Sequence, residues 1–244
     1  MGRAFEYRKK AKFARWGAMA RNFTKVGREI AIAVKEGGAD PDTNPRLRTA
    51  MQNAKGFNMP KDRVEAAIKR ASSKEDGDYE EIVYEGYAMH GVPVVVECAT
   101  NNSNRTVAML RMHFSRCGGA LGKTGSLEFM FDRTGVFEIE ASKVDMDELE
   151  LDFIDAGAED ISTETIEVEE GVEQEIIVIH TKFEDFGQMQ KFLDSKGIEP
   201  KKSNIQRIPK TTQKLTDEQE EEVMKLIDRL EEEDDVQAVY HNLE

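Results

Sequence analysis

The chain has 244 residues, of which 39% are hydrophobic and 34% are charged. This length suits two or three small soluble domains rather than one large core. No run of about 18 apolar residues occurs, so we expect no membrane-spanning helix. The basic N-terminus lacks the apolar segment of a secretory signal, and Glu6 argues against the alternative of a transit peptide. Two cysteines exclude a disulfide scaffold and favour a cytoplasmic location.

The net charge of −14 is distributed unevenly along the chain. Residues 1–74, the basic head, contain 18 Lys and Arg against 7 Asp and Glu, a net charge of +11. The remaining residues, the acidic body, carry −25. This asymmetry predicts contact with a polyanion at one end of the protein. The alternative is that the head docks on its own acidic body.

Three short helices are predicted in the head. Residues 1–20 are basic with interleaved aromatic residues but have no clean period, which indicates a partly ordered arm. Apolar residues in the segment 22–38 recur at helical spacing. Asn44 as N-cap and Pro45 at the first helical position predict the start of a second helix, and Pro60 predicts a third in the same way. The head is therefore expected to form a small helical bundle.

Beyond a polar break at residues 72–78, the hydrophobic pattern changes from helical to alternating. Strands are predicted at 80–89 and 92–100, then a helix at 103–119 and a strand at 126–131. This β-β-α-β segment lacks one helix and one strand of a compact α/β domain.

The pattern of residues 133–208 predicts the element order β-α-β-β-α-β, which is the ferredoxin-like order. A last helix at 215–235 opens with Thr216 and Gln219 as a capping box, and a strand at 236–243 follows it. This final helix and strand supply the two elements that the preceding α/β segment lacks. We therefore predict an α+β protein with an N-terminal three-helix bundle and two α/β domains, one inserted in the other. The predicted bounds are 1–75 for the basic arm and bundle, 76–132 plus 209–244 for the middle domain, and 133–208 for the inserted ferredoxin-like domain.

The stretch "CGGALGKTG", residues 117–125, resembles a phosphate-binding P-loop of the form GxxxxGK[ST]. Gly122, Lys123 and Thr124 are in register, but Cys117 stands where the leading glycine belongs. A P-loop follows a strand and opens a helix. This stretch follows a predicted helix and precedes a predicted strand. We therefore expect a helix C-cap and a turn here, with no nucleotide hydrolysis.

No catalytic residues, metal site or cofactor are predicted. The acidic runs "DEQEEE" and "EEEDD" fall on the outer face of an amphipathic helix, where solvated carboxylates are expected. His113 and Cys117 are spaced i, i+4 but have no third ligand near them in the sequence. No nucleophile and base occur together in a supporting context.

The loop "CATNNSNRT", residues 98–106, places Asn101, Asn104 and Arg105 at the N-terminus of a predicted helix. Such a loop can hold an anion or a phosphate. The alternative is a polar cap of the helix.

The basic head carries the main candidate site. Phosphate contacts need many long cationic side chains, and aromatic residues can stack on unpaired bases. No recognition helix with base-reading residues is apparent, so no sequence specificity is predicted. The predicted nucleic-acid contacts are Arg8, Lys9, Lys10, Lys12, Arg15, Trp16, Arg21, Lys25, Arg28, Arg46, Arg48, Lys61, Arg63, Lys69 and Arg70.

Long blocks of the sequence also carry a family resemblance. They are "FTKVGREI", "NPRLRTAMQNAK", "NMPKDRVEAAIKR", "YEGYAMHGV", "NNSNRTVAMLRMHFSRCGGALGKTGSLEFMF" and "DDVQAVYHN". Together they are similar to the YebC/PmpR family, from about residue 20 to the end. The resemblance implies a helical N-terminal domain, two α/β domains and no catalysis. At its start the chain lacks the Gly-His-Ser-Lys-Trp-like run of the family, although it stays basic.

Two functions follow as hypotheses. The resemblance implies a probable DNA-binding transcriptional regulator. It also implies an alternative, a ribosome- or RNA-associated translation factor, because mitochondrial relatives act as translational activators and bacterial ones are linked to stalled ribosomes. The negative charge of the acidic body disfavours a protein that lies along a DNA duplex. A third class of function is an enzyme that uses the Asn-rich loop. We expect nucleic acid as the partner, with no membrane and no small-molecule substrate.

Overall fold

The computed structural model describes the backbone of residues 3–73, 78–169 and 172–244. Side chains are described over the same ranges from residue 19 onwards, except at 147, 167–169 and 172. Contacts between Cα atoms divide the chain into two compact units. The first unit is Met1–Glu128 with Thr211–Glu244, and the second unit is Phe129–Lys210. No helix in the described part of the chain is long and apolar enough to cross a bilayer.

The first unit opens with three helices, α1 (Arg3–Gly37), α2 (Pro45–Gly56) and α3 (Lys61–Ser72). The prediction of a partly ordered arm over residues 1–20 is wrong, because α1 begins at Arg3. The segment contains no proline and is rich in Ala, Lys and Arg. These residues are strong helix formers, so propensity favours a helix even without a periodic apolar stripe.

Buried apolar residues from all three helices form one core. Asn44, itself buried, holds the turn between α1 and α2. Its Oδ1 accepts from the Leu47 N–H at 3.1 Å, and its Nδ2 donates to the Ala33 carbonyl at 2.7 Å. The core consists of Val26, Ile30, Ala31, Ala33, Val34, Leu47, Ala50, Ala54, Val64, Ala67 and Ala71.

An antiparallel four-stranded sheet follows in the first unit, with the strand order β3-β1-β2-β8. Its strands are β1 (Glu80–Tyr87), β2 (Pro93–Thr100), β3 (Ala120–Leu121) and β8 (Val236–His241). Helices α4 (Ser103–Arg116) and α7 (Asp217–Glu231) pack on it through Phe114 and Leu226, which share a buried core with Val94. The C-terminal strand, β8, pairs with β2.

One strand prediction in the first unit is wrong. Residues 126–131 were expected to form a strand, but Glu128–Met130 is a short 3-10 helix. The N–H of buried Leu127 donates to the Glu85 carboxylate at 2.6 Å rather than to a neighbouring strand. A side-chain acceptor thus takes the place of the backbone hydrogen bonds between strands that the alternating pattern predicts.

The second unit contains β4 (Phe131–Glu140), α5 (Met146–Asp155), β5 (Ala158–Glu169), β6 (Val172–Lys182), α6 (Phe186–Lys196) and β7 (Lys202–Pro209). The sheet is antiparallel, in the order β5-β6-β4-β7. Both helices cover one face, where Phe137, Phe153 and Leu193 are fully buried. The whole chain is thus α+β, with N-terminal helices followed by two four-stranded antiparallel sheets with helices.

The division into three domains stays a prediction, and excision tests it. We expect a variant in which Glu128 is joined to Thr211 by a short Gly-Ser linker to unfold cooperatively. Every helix and strand of the first unit is retained, including β8. The urea m-value should fall, because less surface is exposed on unfolding. Circular dichroism during urea titration measures both quantities.

Deleting residues 236–244 is the control for this excision. That deletion removes β8 from β2 and exposes the first core, so cooperativity should be lost. Gradual unfolding of the excised variant would contradict the insertion.

Candidate nucleic-acid interface

Helix α3 presents cations to solvent on the side opposite its core. Val64, Ala67 and Ala71 are buried and Ile68 packs beside them, so the opposite side of this helix faces outward. Four predicted contacts fall on that outward side. The exposed cations, which we call the α3 surface, are Lys61, Arg63, Lys69 and Arg70.

Two residues of the α3 surface make weak internal contacts. Lys61 Nζ lies 3.7 Å from Glu65 Oε1, with the lysine side chain 90% exposed. The Arg63 guanidinium lies 5.9 Å from the ring centroid of Phe23. An exposed i, i+4 ion pair contributes about 0.3–0.5 kcal/mol, and an exposed cation–π contact about 0.5–1 kcal/mol. Neither contact holds its cation strongly against a phosphate.

Arg28 is directed inward instead. Its Nη1 donates to the Ala99 carbonyl at 2.8 Å, to the Asp234 carbonyl, and to Asp235 Oδ1 at 2.9 Å. The guanidinium also lies 5.4 Å from the Tyr79 ring centroid. Only 13% of the side chain is exposed, so Arg28 joins α1 to the sheet of the first unit.

The buried carboxylate of Asp235 is the centre of that junction. Besides Arg28, it accepts from Arg105 Nη2 at 2.9 and 2.8 Å, from Thr106 Oγ1 at 2.8 Å and from Thr100 Oγ1 at 3.3 Å. We call these residues the Asp235 cluster. Burial acts to raise the pKa of Asp235, but the hydrogen bonds from Arg105 and Thr106 and the charge of Arg28 hold it below its usual range. The carboxylate is therefore ionised at neutral pH.

Other cations of the head are also engaged within the protein. Arg46 forms ion pairs with Glu36 at 2.6 Å and Glu81 at 2.5 Å. Burial opposes the charge of Arg46, but these carboxylates raise its pKa overall. Arg48 donates to the Pro41 carbonyl at 3.2 Å. The head thus contacts the acidic body through Glu81 and Asp235.

Lys25 and Arg21 take intermediate positions on α1. Burial lowers the pKa of Lys25, neighbouring Arg21 acts in the same direction, and Glu231 opposes both. Both side chains are half-buried. The remaining predicted contacts lie on α1, but their side chains fall outside the described residues; they are Arg8, Lys9, Lys10, Lys12, Arg15 and Trp16.

The Asn-rich loop has the geometry of a polar cap. Asn102 is the N-cap of α4, and its Oδ1 accepts from the Arg105 N–H at 3.1 Å. Asn101 Oδ1 accepts from Arg105 Nη2 at 3.3 Å, and Asn104 is exposed. Because the Arg105 guanidinium also binds Asp235, this arrangement favours the cap over an anion site.

The glycine-rich stretch has the element order opposite to that of a P-loop. It follows α4, as the sequence pattern predicts, and it contains the two-residue strand β3, which the pattern does not predict. Cys117 is the C-cap, and Gly118 after it adopts φ 71°, a conformation that favours glycine. The Gly122 N–H donates to the Glu85 carbonyl at 2.7 Å, which directs it toward β1.

Asp235 is the residue that sequence reasoning missed. It was included in a run of solvated carboxylates, but its exposed fraction is 5%. The interpretation of that run as a solvated face is therefore wrong at this position. Its place directly before Val236, a fully buried strand residue, is the sequence signal that separates it from the exposed acids of α7.

The fold and the α3 surface together define an α+β protein with a basic helical face. The chain belongs to the TACO1/YebC family. The family's N-terminal domain model, "TACO1/YebC protein N-terminal domain", matches residues 3–74. A model of the "TACO1/YebC second and third domain" matches residues 79–243. The family match thus includes the start of the chain, where the Gly-His-Ser-Lys-Trp-like run is lacking.

Relatives match over the full length of the chain. A protein from Cytophaga hutchinsonii is 53% identical over 100% of this chain and 98% of its own. Another from Anaeromyxobacter dehalogenans is 51% identical over 100% of each chain. Both are named "probable transcriptional regulatory protein". The crystal structure of a conserved hypothetical protein from Aquifex aeolicus is 38% identical, with a TM-score of 0.77 over 92% of this chain and 90% of that one.

We expect Asp235→Ala to destabilise the protein by roughly 3–5 kcal/mol, because it leaves the largely buried Arg28 without its carboxylate. The folded pKa of Asp235 lies below the ordinary value of 3.8, so its contribution is present above that pH. The contribution is lost as the pH falls through the folded pKa. The difference between variant and wild type should therefore shrink in strong acid. Urea unfolding at neutral pH and at low pH measures it.

Asp234→Ala is the matched control. Asp234 is exposed and accepts from Arg28 through its backbone carbonyl, which the substitution retains. We expect a change within about 0.5 kcal/mol. Equal effects of the two substitutions would contradict the role of the Asp235 cluster.

Proposed function

We propose that this protein is a nucleic-acid-binding regulator of gene expression that contacts phosphates through the α3 surface. The observation that supports this is the division of the head's cations. Arg28 and Arg46 are held by internal carboxylates, whereas the cations of the α3 surface are exposed. Long exposed cations along one helix suit the phosphate backbone.

The DNA-binding form of this proposal follows the names of the relatives, which are probable transcriptional regulatory proteins. Phosphate contacts fix position but carry no sequence information. The Lys and Arg side chains of the α3 surface supply affinity rather than a code for one operator, and Asp62 and Glu65 are exposed on the same helix.

Neutralising the α3 surface is the direct test. We expect the full-length variant Lys61→Gln, Arg63→Gln, Lys69→Gln, Arg70→Gln to bind DNA and RNA duplexes more weakly. If all four cations contact phosphates, the slope of log K against log salt should become about 3.6 units less steep for duplex DNA. Fluorescence anisotropy over a salt series measures the slope.

The control variant removes the same charge elsewhere. Lys143, Lys196, Lys210 and Lys225 each form an ion pair outside the head. Changing these four to Gln should leave the salt slope unchanged, because they are not part of the proposed surface. A slope that falls equally in both variants would show a net-charge effect and refute a local contact.

A translation factor is the second candidate function, and charge favours it. The acidic body carries −25, and the outer side of α7 exposes Glu218, Glu221 and Glu222 within the same unit as α3. Acidic residues of this kind are repelled along a duplex but tolerated when one basic end enters an RNA cavity.

Sedimentation of a cell lysate on a sucrose gradient distinguishes the two candidates. For a translation factor we expect the protein to comigrate with ribosomes, and RNase treatment to abolish the comigration. The α3 variant should remain at the top of the gradient in either case. Protein that does not comigrate with ribosomes and is recovered with promoter DNA would instead support the transcriptional regulator.

A further inference from the structure

Helix α5 of the second unit carries apolar side chains on the side that faces solvent. Phe153 is fully buried in the core of this unit, and Leu149 packs against the same core. Leu151 is 76% exposed and Ile154 is 52% exposed. These two residues are three positions apart, so they are neighbours on the surface of the helix. Among the described side chains, no other large apolar residue is as exposed as Leu151.

Carboxylates surround this apolar pair. Helix α5 contains five acidic residues among its ten and no basic residue. Glu148 and Asp155 each lie about one helical turn from Leu151. Glu150 lies about one turn from Ile154. All three carboxylates are exposed, and we call these five residues the α5 surface.

The negative charge of α5 is unfavourable in the protein alone. The C-terminal end of a helix favours cations, whereas the last turn of α5 contains Asp152 and Asp155 and no basic residue. Lys196 of α6 compensates Asp152, with its Nζ 2.7 Å from Oδ2. Among the described side chains, no cation forms an ion pair with Glu148, Glu150 or Asp155. A cationic partner would therefore be attracted to the α5 surface.

A groove between α5 and α6 borders the α5 surface on the side of Asp155. Its volume is about 400 Å³, which suits one long side chain rather than a globular partner. Phe192 is half-buried there, so part of its ring forms an apolar wall. The residues that line the groove are Asp152, Asp155, Ala156, Gln188, Phe192 and Lys196.

We propose that the α5 surface binds a basic amphipathic helix of a partner protein. The apolar face of that helix packs on Leu151 and Ile154. Its Lys and Arg side chains pair with Glu148, Glu150 and Asp155, and one of them enters the groove beside α6. An amphipathic helix that lays its apolar face on an apolar strip is a recurring mode of recognition. Nucleic acid does not suit this surface, because its phosphates would meet carboxylates.

Helix α7 of the first unit shows why the apolar pair matters. Glu218, Glu221 and Asp228 are exposed on its outer side, but none of the exposed large apolar side chains in the described part of the chain belongs to α7. Such a face is fully solvated and needs no partner. The α5 surface differs because its carboxylates enclose apolar area that a partner can bury.

Binding of a fluorescein-labelled synthetic peptide to the full-length protein tests the apolar part of the surface. The peptide consists of Leu and Lys in an amphipathic helical pattern, and a scrambled peptide of the same composition lacks the apolar face. We expect the patterned peptide to bind about tenfold more tightly than the scrambled one, because it buries apolar area. The variant Leu151→Gln, Ile154→Gln should lose this preference. Fluorescence anisotropy measures both affinities.

The variant Glu148→Gln, Glu150→Gln, Asp155→Asn tests the charges. We expect it to bind the patterned peptide about threefold to tenfold more weakly, as for the loss of a few exposed ion pairs. Its affinity should also depend less on salt, because salt screens the charges that it lacks. Anisotropy over a salt series measures both effects.

Two control variants carry the same kinds of substitution elsewhere. Glu218→Gln, Glu221→Gln, Asp228→Asn repeats the three charge changes on α7, and Met112→Gln removes an exposed apolar side chain from α4. Both should leave the affinity for the patterned peptide unchanged. Losses in the controls as large as those in the α5 variants, or equal affinity of the wild type for the two peptides, overturn the proposal.

Sedimentation velocity of the protein alone tests a second copy of the chain as the occupant instead. We expect the wild type and the α5 variants to sediment alike. Self-association that Leu151→Gln, Ile154→Gln abolishes would refute a separate partner protein. Affinity for duplex DNA should be no weaker in the α5 variants, so this inference and the proposed function can fail independently. Thermal denaturation confirms that each variant is folded, as expected for exposed positions.

Discussion

The buried carboxylate of Asp235 is the interaction on which the arrangement of the first unit depends. It binds Arg28 from α1, Arg105 from α4 and the hydroxyls of Thr100 and Thr106, so one side chain joins the N-terminal helices to the sheet. A buried ion pair often adds little net stability over apolar packing, whereas breaking it is costly. Its effect here is to specify one arrangement: α1 must place Arg28 next to the end of β2, and α3 then faces outward.

Position rather than residue type decides which cations are available to a partner. Arg46 and Arg63 are both arginines of the basic head, but the first bridges two carboxylates and the second faces solvent.

Local signals in the sequence predicted most of the elements, and long-range contacts account for the errors. Asn44 as an N-cap and the capping box of Thr216 and Gln219 are confirmed, because each involves residues three positions apart. Residues 126–131 were misassigned because Glu85, distant in sequence, supplies the acceptor. Asp235 was misjudged for the same reason, since its partners come from distant segments. The cations of the α3 surface were listed together with Arg28 and Arg46, because no periodicity separates an exposed arginine from one that binds a distant carboxylate.

The shortness of β3 has a consequence for self-association. It pairs with β1 only at Gly86 and Tyr87, so the earlier residues of β1 lie at an edge of the sheet that no strand in the described part of the chain covers. Open edges recruit strands from other molecules and start aggregation. Glu80 and Glu81 stand on this stretch, and charged side chains discourage such pairing. Arg46 forms an ion pair with Glu81, which places one more charged side chain beside this stretch of β1.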